Sequence, residues 1–375
     1  MRCSVVFPAG VLHDRTVVRE AATAAPRAAD ILEAMNAALV VGCLVSLAAP
    51  SDGEHETLEV AAPSGPFTTL HYGTDVRVPC LWPVRGPGGI EMTRAYPMEV
   101  GRVGEADDHP HHTSLWLAHG DVNGHDFWHA RGKTPRIDVV GEPGVASKDG
   151  ATPVDAVLDW VAAPDETLLR ETRRMVFTEA DGARRIDFDL SLKALVDVEF
   201  GDTKEGTFAL RLHPELRLKG SVAAGHALDS EGRKDGKIWG ERCRWLTYFG
   251  NVEGTDVGVA VFDHPGNLRH PTWWHARDYG LVAANPFGIH DFDREPEGTG
   301  DFALAKGETL RQRYRVVLYA GAPDAAALEA ECRIEMRDWR GCTIKSISVA
   351  DVDKSINVRA VLEGLAARTM AENGM

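Results

Sequence analysis

Apolar and polar residues alternate along the middle of this chain with the two-residue period of β-strands. Ile186, Phe188, Leu190 and Leu192 interleave with Asp187, Asp189 and Ser191, which predicts a strand with one wet face. Phe208, Leu210 and Leu212 repeat the pattern, as do Tyr314, Val316 and Leu318 among Arg313, Arg315 and Val317. Gly and Pro punctuate the intervals, for example at Arg85–Gly89, Gly120–Gly124 and Gly298–Gly300. There is no steady alternation of strands with helices, no G-x-G-x-x-G after a strand and no P-loop. The expected fold is all-β and mainly antiparallel, a large β-sandwich.

The period changes towards the two ends. Residues 1–64 are Ala-rich, with a helix expected over Pro26–Leu44, and read as an appendage that is partly helical or signal-like. The main domain is expected over residues 65–340, closing on a helix over Pro323–Trp339, where Pro-Asp opens an Ala/Glu/Leu run. Val358, Val361, Leu362 and Leu365 then make an i, i+3, i+4, i+7 stripe, so 341–375 is expected to be a helical tail. The one strongly apolar run, Ala37–Pro50, has about 14 residues, short of the ~20 that span a bilayer. It lies too far from Met1 for a signal peptide and has no basic residue just before it. A cytoplasmic protein with no transmembrane span is therefore expected. If translation began at Met35, the run would become signal-like, and Val40-Val41-Gly42-Cys43 would resemble a lipoprotein cleavage box, implying export or a lipid anchor.

Composition narrows the function classes. With 375 residues, 44% apolar and 26% charged, the chain can bury one large β domain or two smaller ones. The balance of 41 Lys+Arg against 56 Asp+Glu, a net −15, repels phosphate backbones and excludes nucleic acid as a partner. Cys3, Cys43, Cys80, Cys243, Cys332 and Cys342 are scattered with no C-x-x-C and read as buried or free thiols.

The chemistry gathers in three stretches. Six of the 15 histidines (His109, His111, His112, His119, His125 and His129) fall within Asp107–His129. Imidazole titrates near neutrality and binds metals. If the segment is extended, His109 and His111 project from one face and His112 from the other. Trp116, Asp121 and Asn123 lie among them, and the last two either shape the Gly120–Gly124 turn or present polar groups to a hydroxylated ligand. The second stretch, Asp202–Gly206, precedes the strand carrying Arg211; its Glu205 is either a solvated loop residue or a carboxylate base facing a histidine acid. The third holds His264, Trp274, His275, Arg277 and Asn285, where aromatic faces suit sugar rings and Arg with His suits hydroxyls or a carboxylate. No G-x-S-x-G nucleophile elbow and no H-E-x-x-H occurs.

Long ordered blocks carry a family resemblance: LWPVRGPGG with TRAYP, DHPHHTSLWLAHGDVNGHDFW, GDTKEG, WGERCRWLTYFG, FDHPGNLRHPTWWHARDYGL, NPFG and GETLRQRYRVVLYAG. Across roughly Phe67–Ala322 the chain resembles the domain family labelled "methane oxygenase PmoA", whose function is not established. The label does not imply methane oxidation. The membrane monooxygenase subunit of that name is a bundle of transmembrane helices, and no run of 18 or more apolar residues exists here. The resemblance implies sugar metabolism and a galactose-mutarotase-like supersandwich. By fold analogy it implies His111, His112 or His275 as an acid facing Glu205 as a base.

Three functions follow. The first is a carbohydrate-active isomerase, lyase or hydrolase with His111, His112, Glu205 and His275 as catalytic residues and no required cofactor. Its substrate is expected to touch His109, Trp116, His119, Asp121, Asn123, Arg211, His264, Trp274, Arg277 and Asn285. The second is a metal-dependent oxygenase or hydrolase of the non-haem iron kind, with a divalent ion on candidates His109, His111 and His264. The third is a non-catalytic carbohydrate-binding protein.

Overall fold

The computed structural model describes residues 55–147 and 150–338. The expected helix over Pro26–Leu44, the apolar run Ala37–Pro50 and the stripe from Val358 to Leu365 lie outside the described residues. No helix among the described residues is long and apolar enough to cross a membrane.

Two antiparallel sheets make up the architecture. In sheet order, the first consists of strands Glu56–Ala62, Gly65–Tyr72, Cys80–Leu81, Leu115–His119, Gly206–Arg211, Leu281–Asn285 and Trp273–Ala276. The second runs His226–Asp229, Trp245–Val252, Thr255–Asp263, Thr309–Ala320, Ala183–Ala194, Glu166–Ala180, Ala151–Ala163 and Arg136–Val139, with Gly144–Val145 as a side branch. A two-stranded ribbon pairs Val198–Phe200 with Phe302–Leu304. The sheets pack face to face. Phe208 of the first stacks on Tyr314 of the second at 4.4 Å and meets Phe188 at 4.8 Å. Phe67 and Phe177 repeat the contact at 5.4 Å. The expected antiparallel sandwich is what the residues form, because alternating apolar side chains give each sheet one face to bury.

The alternating strand at Ile186–Leu192 departs from its expected wet face. Its apolar members are buried, but so is Asp187, which is only 8% exposed. The helix Ala325–Asp338 covers that side. Asp187 takes a two-pronged grip from Arg315, whose Nη1 also reaches Glu331 of the helix at 2.8 Å. Leu328 and Cys332 pack against Trp245, Phe262 and Val317. The helix begins as expected after Pro323, with the Asp324 carboxylate accepting from the amides of Ala326 and Ala327.

The boundary expected at residue 64 falls inside the hairpin of Glu56–Ala62 with Gly65–Tyr72. The strand before the turn belongs to the first sheet. No disulfide joins Cys80, Cys243 and Cys332, and Cys80 is a buried thiol pushed up to about 12 by desolvation. Cys3, Cys43 and Cys342 lie outside the described residues.

Gly206–Arg211, in the middle of the first sheet, is buried on both faces. Register fixes what lies beside it. Ala209 pairs with Trp116 on one side and Ala283 on the other, and Ala283 pairs with His275. Side chains directly opposite one another share a face. Trp116, Ala209, Ala283 and His275 therefore form one row about 14 Å wide at the usual ~4.8 Å strand spacing. Phe208 points the other way, into the core, so this row is on the face turned from the second sheet. Arg211 pairs with Leu281, to which Arg277 also bonds through its backbone, which makes a second row two residues along.

Candidate functional site

The site grows from that face. A buried polar network holds its first side. Arg211 donates through Nη1 to His112 Nδ1 at 2.9 Å and through Nη2 to Asp108 Oδ1 at 2.9 Å. Arg94 donates to the same Oδ1 at 3.1 Å, so one carboxylate serves two guanidinia. Burial raises the Asp108 carboxyl, but Arg211, His109 and Arg94 outweigh it and hold the group below the ordinary range. Burial and the neighbouring Arg94 bring Arg211 down to about 10.

The network settles the tautomer of His112. A guanidinium has no acceptor, so His112 Nδ1 accepts and the neutral ring carries its hydrogen on Nε2. That Nε2 is buried without a hydrogen-bond partner. Burial, with His111 and Arg211 close by, pushes His112 far below the usual imidazole range. The ring stacks on Trp116 at 5.3 Å and on His109 at 4.8 Å.

His111 completes a knot of imidazoles. It lies 4.4 Å from the rings of both His112 and His129. Burial, then His129 and His109, drive it down to about 3. The segment is a turn rather than an extended strand: the His112 amide donates to His109 O across Pro110, and His109 takes φ 45°. The expected split of His109 and His111 from His112 therefore fails, and the turn gathers all three. His129 donates from Nδ1 to Asp126 Oδ2, 2.7 Å away.

Tyr279, in the turn between Trp273–Ala276 and Leu281–Asn285, joins the two sides. His109 stacks on its ring at 5.3 Å, and the guanidinium carbons of Arg211 and Arg277 lie 4.5 and 5.5 Å from the ring centroid. Its hydroxyl makes no hydrogen bond within the described residues. Burial raises the phenol, partly offset by Arg277 and Arg211, while the nearby charge of Glu205 raises it further. Arg277 is also backed by the Trp239 ring at 5.9 Å. His275 is buried, hydrogen-bonds to Lys204 O at 3.0 Å, and is lowered to about 4 by burial and then by Arg277. Glu205 keeps a quarter of its side chain exposed, with Lys204 Nζ at 3.8 Å. Beside these groups opens a cleft of about 550 Å³ lined by Arg233, Trp239, Glu241, Arg242 and Phe292. It borders the cluster through Trp239 and through Phe292, whose ring is 6.1 Å from that of His275.

Several expected residues lie elsewhere. Trp274 points from the opposite face of its strand into the core, where Nε1 donates to Cys243 O at 2.9 Å. His119 is buried behind Gly206, bonded to Gly201 O at 2.8 Å and packed on Phe287. Asp121 accepts from the Gly124 amide, and Asn123 pairs with the Glu199 amide and Asp197 O; both shape the turn. Asn285 accepts from the amides of Phe287 and Gly288 and donates to Thr203 O, clamping two loops. His264 accepts from the Gly266 amide after strand Thr255–Asp263. It does not join His109 and His111: among the described residues no three His, Cys, Asp or Glu side chains are placed to hold one ion. The geometry adds Asp108, Arg94, Tyr279, Trp239 and, within the histidine run itself, Trp128, whose ring lies 5.6 Å from that of His112 and 5.1 Å from that of Trp116. Their signals are adjacency to the histidine run for Asp108 and to His-x-Arg for Tyr279, whereas Arg94 and Trp239 carry no local signal.

Comparisons with known proteins bear on the family. The model of a family of unknown function, DUF6807, matches residues 57–333. The PmoA label is not the one this match carries. No curated protein matches the chain. Among solved structures, a galactose mutarotase-like protein from Clostridium acetobutylicum is similar at 10% identity and a TM-score of 0.36, covering 72% of this chain and 96% of that one. The galactosidase domain of an α-galactosidase–sucrose kinase matches at 11% identity and 0.36, covering 71% of this chain and 40% of that one. An α-galactosidase from Geobacillus stearothermophilus matches at 11% and 0.30, covering 74% and 41%. The chain thus spans about two fifths of those two galactosidase chains. At TM-scores of this size the likeness carries no statement about chemistry.

Proposed function

We propose that this chain, which belongs to the family of unknown function DUF6807, is an acid–base enzyme acting on a carbohydrate or sugar derivative. The observation that carries the reading is the gathering of Tyr279 with His109, Arg211 and Arg277 around its ring, beside His111 and His112 held neutral and the quarter-exposed carboxylate of Glu205, whose charge raises the phenol. Such a set suits proton abstraction beside a carbonyl. Glu205 takes the proton from carbon. The electron pair moves to the carbonyl oxygen, which is held by the Tyr279 hydroxyl, a donor that stays protonated because its pKa is raised. Return of the proton to the former carbonyl carbon, with the hydroxyl proton of the adjacent carbon passing to the old carbonyl oxygen as the new carbonyl forms, completes an isomerisation; collapse of the enolate with departure of a β-substituent, which takes its bonding pair, completes an elimination instead.

The histidines change role from the acids first expected. With His111 at about 3 and His275 at about 4, neither stores a proton as imidazolium near neutrality. His112, fixed as the Nε2–H tautomer, is a neutral donor, a use of imidazole that suits an oxygen gaining charge. The aromatic platform of His109, Tyr279 and Trp239 offers flat apolar faces to a sugar ring.

The test is turnover and binding by the full chain on a panel of aldoses, ketoses and sugar acids, followed by proton NMR. Glu205→Gln and Tyr279→Phe should each lower turnover about 10²–10⁴-fold, the usual range for a lost proton-transfer or oxyanion group. Parent-like turnover in both variants, or no binding of any sugar, would sink the reading.

A further inference from the structure

Resting on that reading, we infer that the ligand is a sugar acid whose carboxylate docks on Arg277. The guanidinium of Arg277 is half-buried, yet it makes no hydrogen bond or ion pair within the described residues. It is held by the rings of Trp239 and Tyr279, 5.9 and 5.5 Å away. Ring faces position a guanidinium without using its N–H groups, which leaves the fork of donors that matches a carboxylate.

Its neighbours are otherwise satisfied. Arg94 and Arg211 have Asp108, Arg217 donates to Pro214 O and Gly104 O, and Arg233 has Asp229. Lys204 lies 3.8 Å from Glu205 and 3.5 Å from Asp291. Asp108 is shared by Arg94 and Arg211, Arg94 also feels Glu105, and Glu205 has Lys204, so Arg277 is the guanidinium of this cluster without a bonded carboxylate among the described residues. A neutral sugar leaves the Arg277 fork without an anion, whereas a carboxylate there pairs with it in two hydrogen bonds. Arg277, whose amide donates to Leu281 O, lies one row from His275 on the same face, and its guanidinium meets the Tyr279 ring, so a ligand anchored there lies beside that phenol.

Calorimetric titration of the full chain with glucuronate, galacturonate and gluconate, beside glucose and galactose, tests this. At least one acid should bind about tenfold or more tighter than its neutral counterpart, the scale of a charge-assisted bidentate pair. Arg277→Gln should erase that preference, bringing the acid down to the affinity of its neutral counterpart, and Arg277→Lys should restore part of it; thermal melts confirm folding of each. Neutral sugars binding as tightly as the acids overturns the inference and leaves the acid–base reading standing. A preference for acids that survives Arg277→Gln overturns the assignment to this residue. No binding of either class defeats both readings.

Discussion

At the scale of single residues, the site is governed by desolvation. Burial lowers His111 to about 3 and both His119 and His275 to about 4, against an ordinary 6.5. The unfolded chain binds these protons below about 6.5, while the folded protein holds them off until about 4 or 3. Across that window the unfolded state carries more protons, so folding stability falls as pH drops through it. Thermal midpoints measured at pH 7.5 and 4.5 should show the loss, and His111→Asn should shrink the difference. An unchanged difference in that variant would contradict the depressed pKa. Asp108 belongs to the same balance, since without it two buried guanidinia and a neutral imidazole would remain with no carboxylate among them.

At the scale of elements, strand alternation sorts the third sequence stretch. Trp274 and His275 are neighbours in sequence and opposites in space, and the i, i+2 spacing of His275 and Arg277 puts both on the site face. The floor between Trp116 and His275 consists of Ala209 and Ala283, both fully buried. Ala283→Leu would force extra methylenes into that covered row and should cost about 1–3 kcal/mol, read as a lower urea midpoint. A wild-type midpoint would mean that the face is more open than its burial indicates. Gly206 shows the same crowding, because a Cβ there would lie 2.4 Å from His119 Nδ1. The turn at His109–His112 could not be read from spacing, since Pro110 permits either an extended run or a reversal, and the choice rests on Asp108 being held by Arg94 and by Arg211 of the strand Gly206–Arg211.

At the scale of the whole molecule, two sheets and one covering helix bury charge as well as apolar surface. Glu171 and Arg173 are both buried on strand Glu166–Ala180, joined at 2.6 Å, with Trp160 Nε1 donating to the same carboxylate at 3.0 Å. Glu171→Gln strands the Arg173 charge in the core and should destabilise by about 3–5 kcal/mol. Chemical denaturation measures this, and a loss below about 1 kcal/mol, the size of an exposed pair, would show that water reaches the site.

What the chain determines by itself is its periodicity and its inventory. Two-residue alternation specifies strands, Pro-Asp specifies the start of the closing helix, and the density of imidazole between His109 and His129 marks where chemistry gathers. These features are local, written in side chains a few residues apart. Only the tertiary structure decides which of them meet. Strand register joins Arg211 to His112 across 99 positions and sends Trp274 and His119 away from the site. Helix docking turns the expected wet face at Asp187 into a buried ion pair. Burial, which no local pattern encodes, keeps His111, His112 and His275 neutral and, in the proposed chemistry, leaves proton transfer to Glu205 and the developing oxyanion to Tyr279.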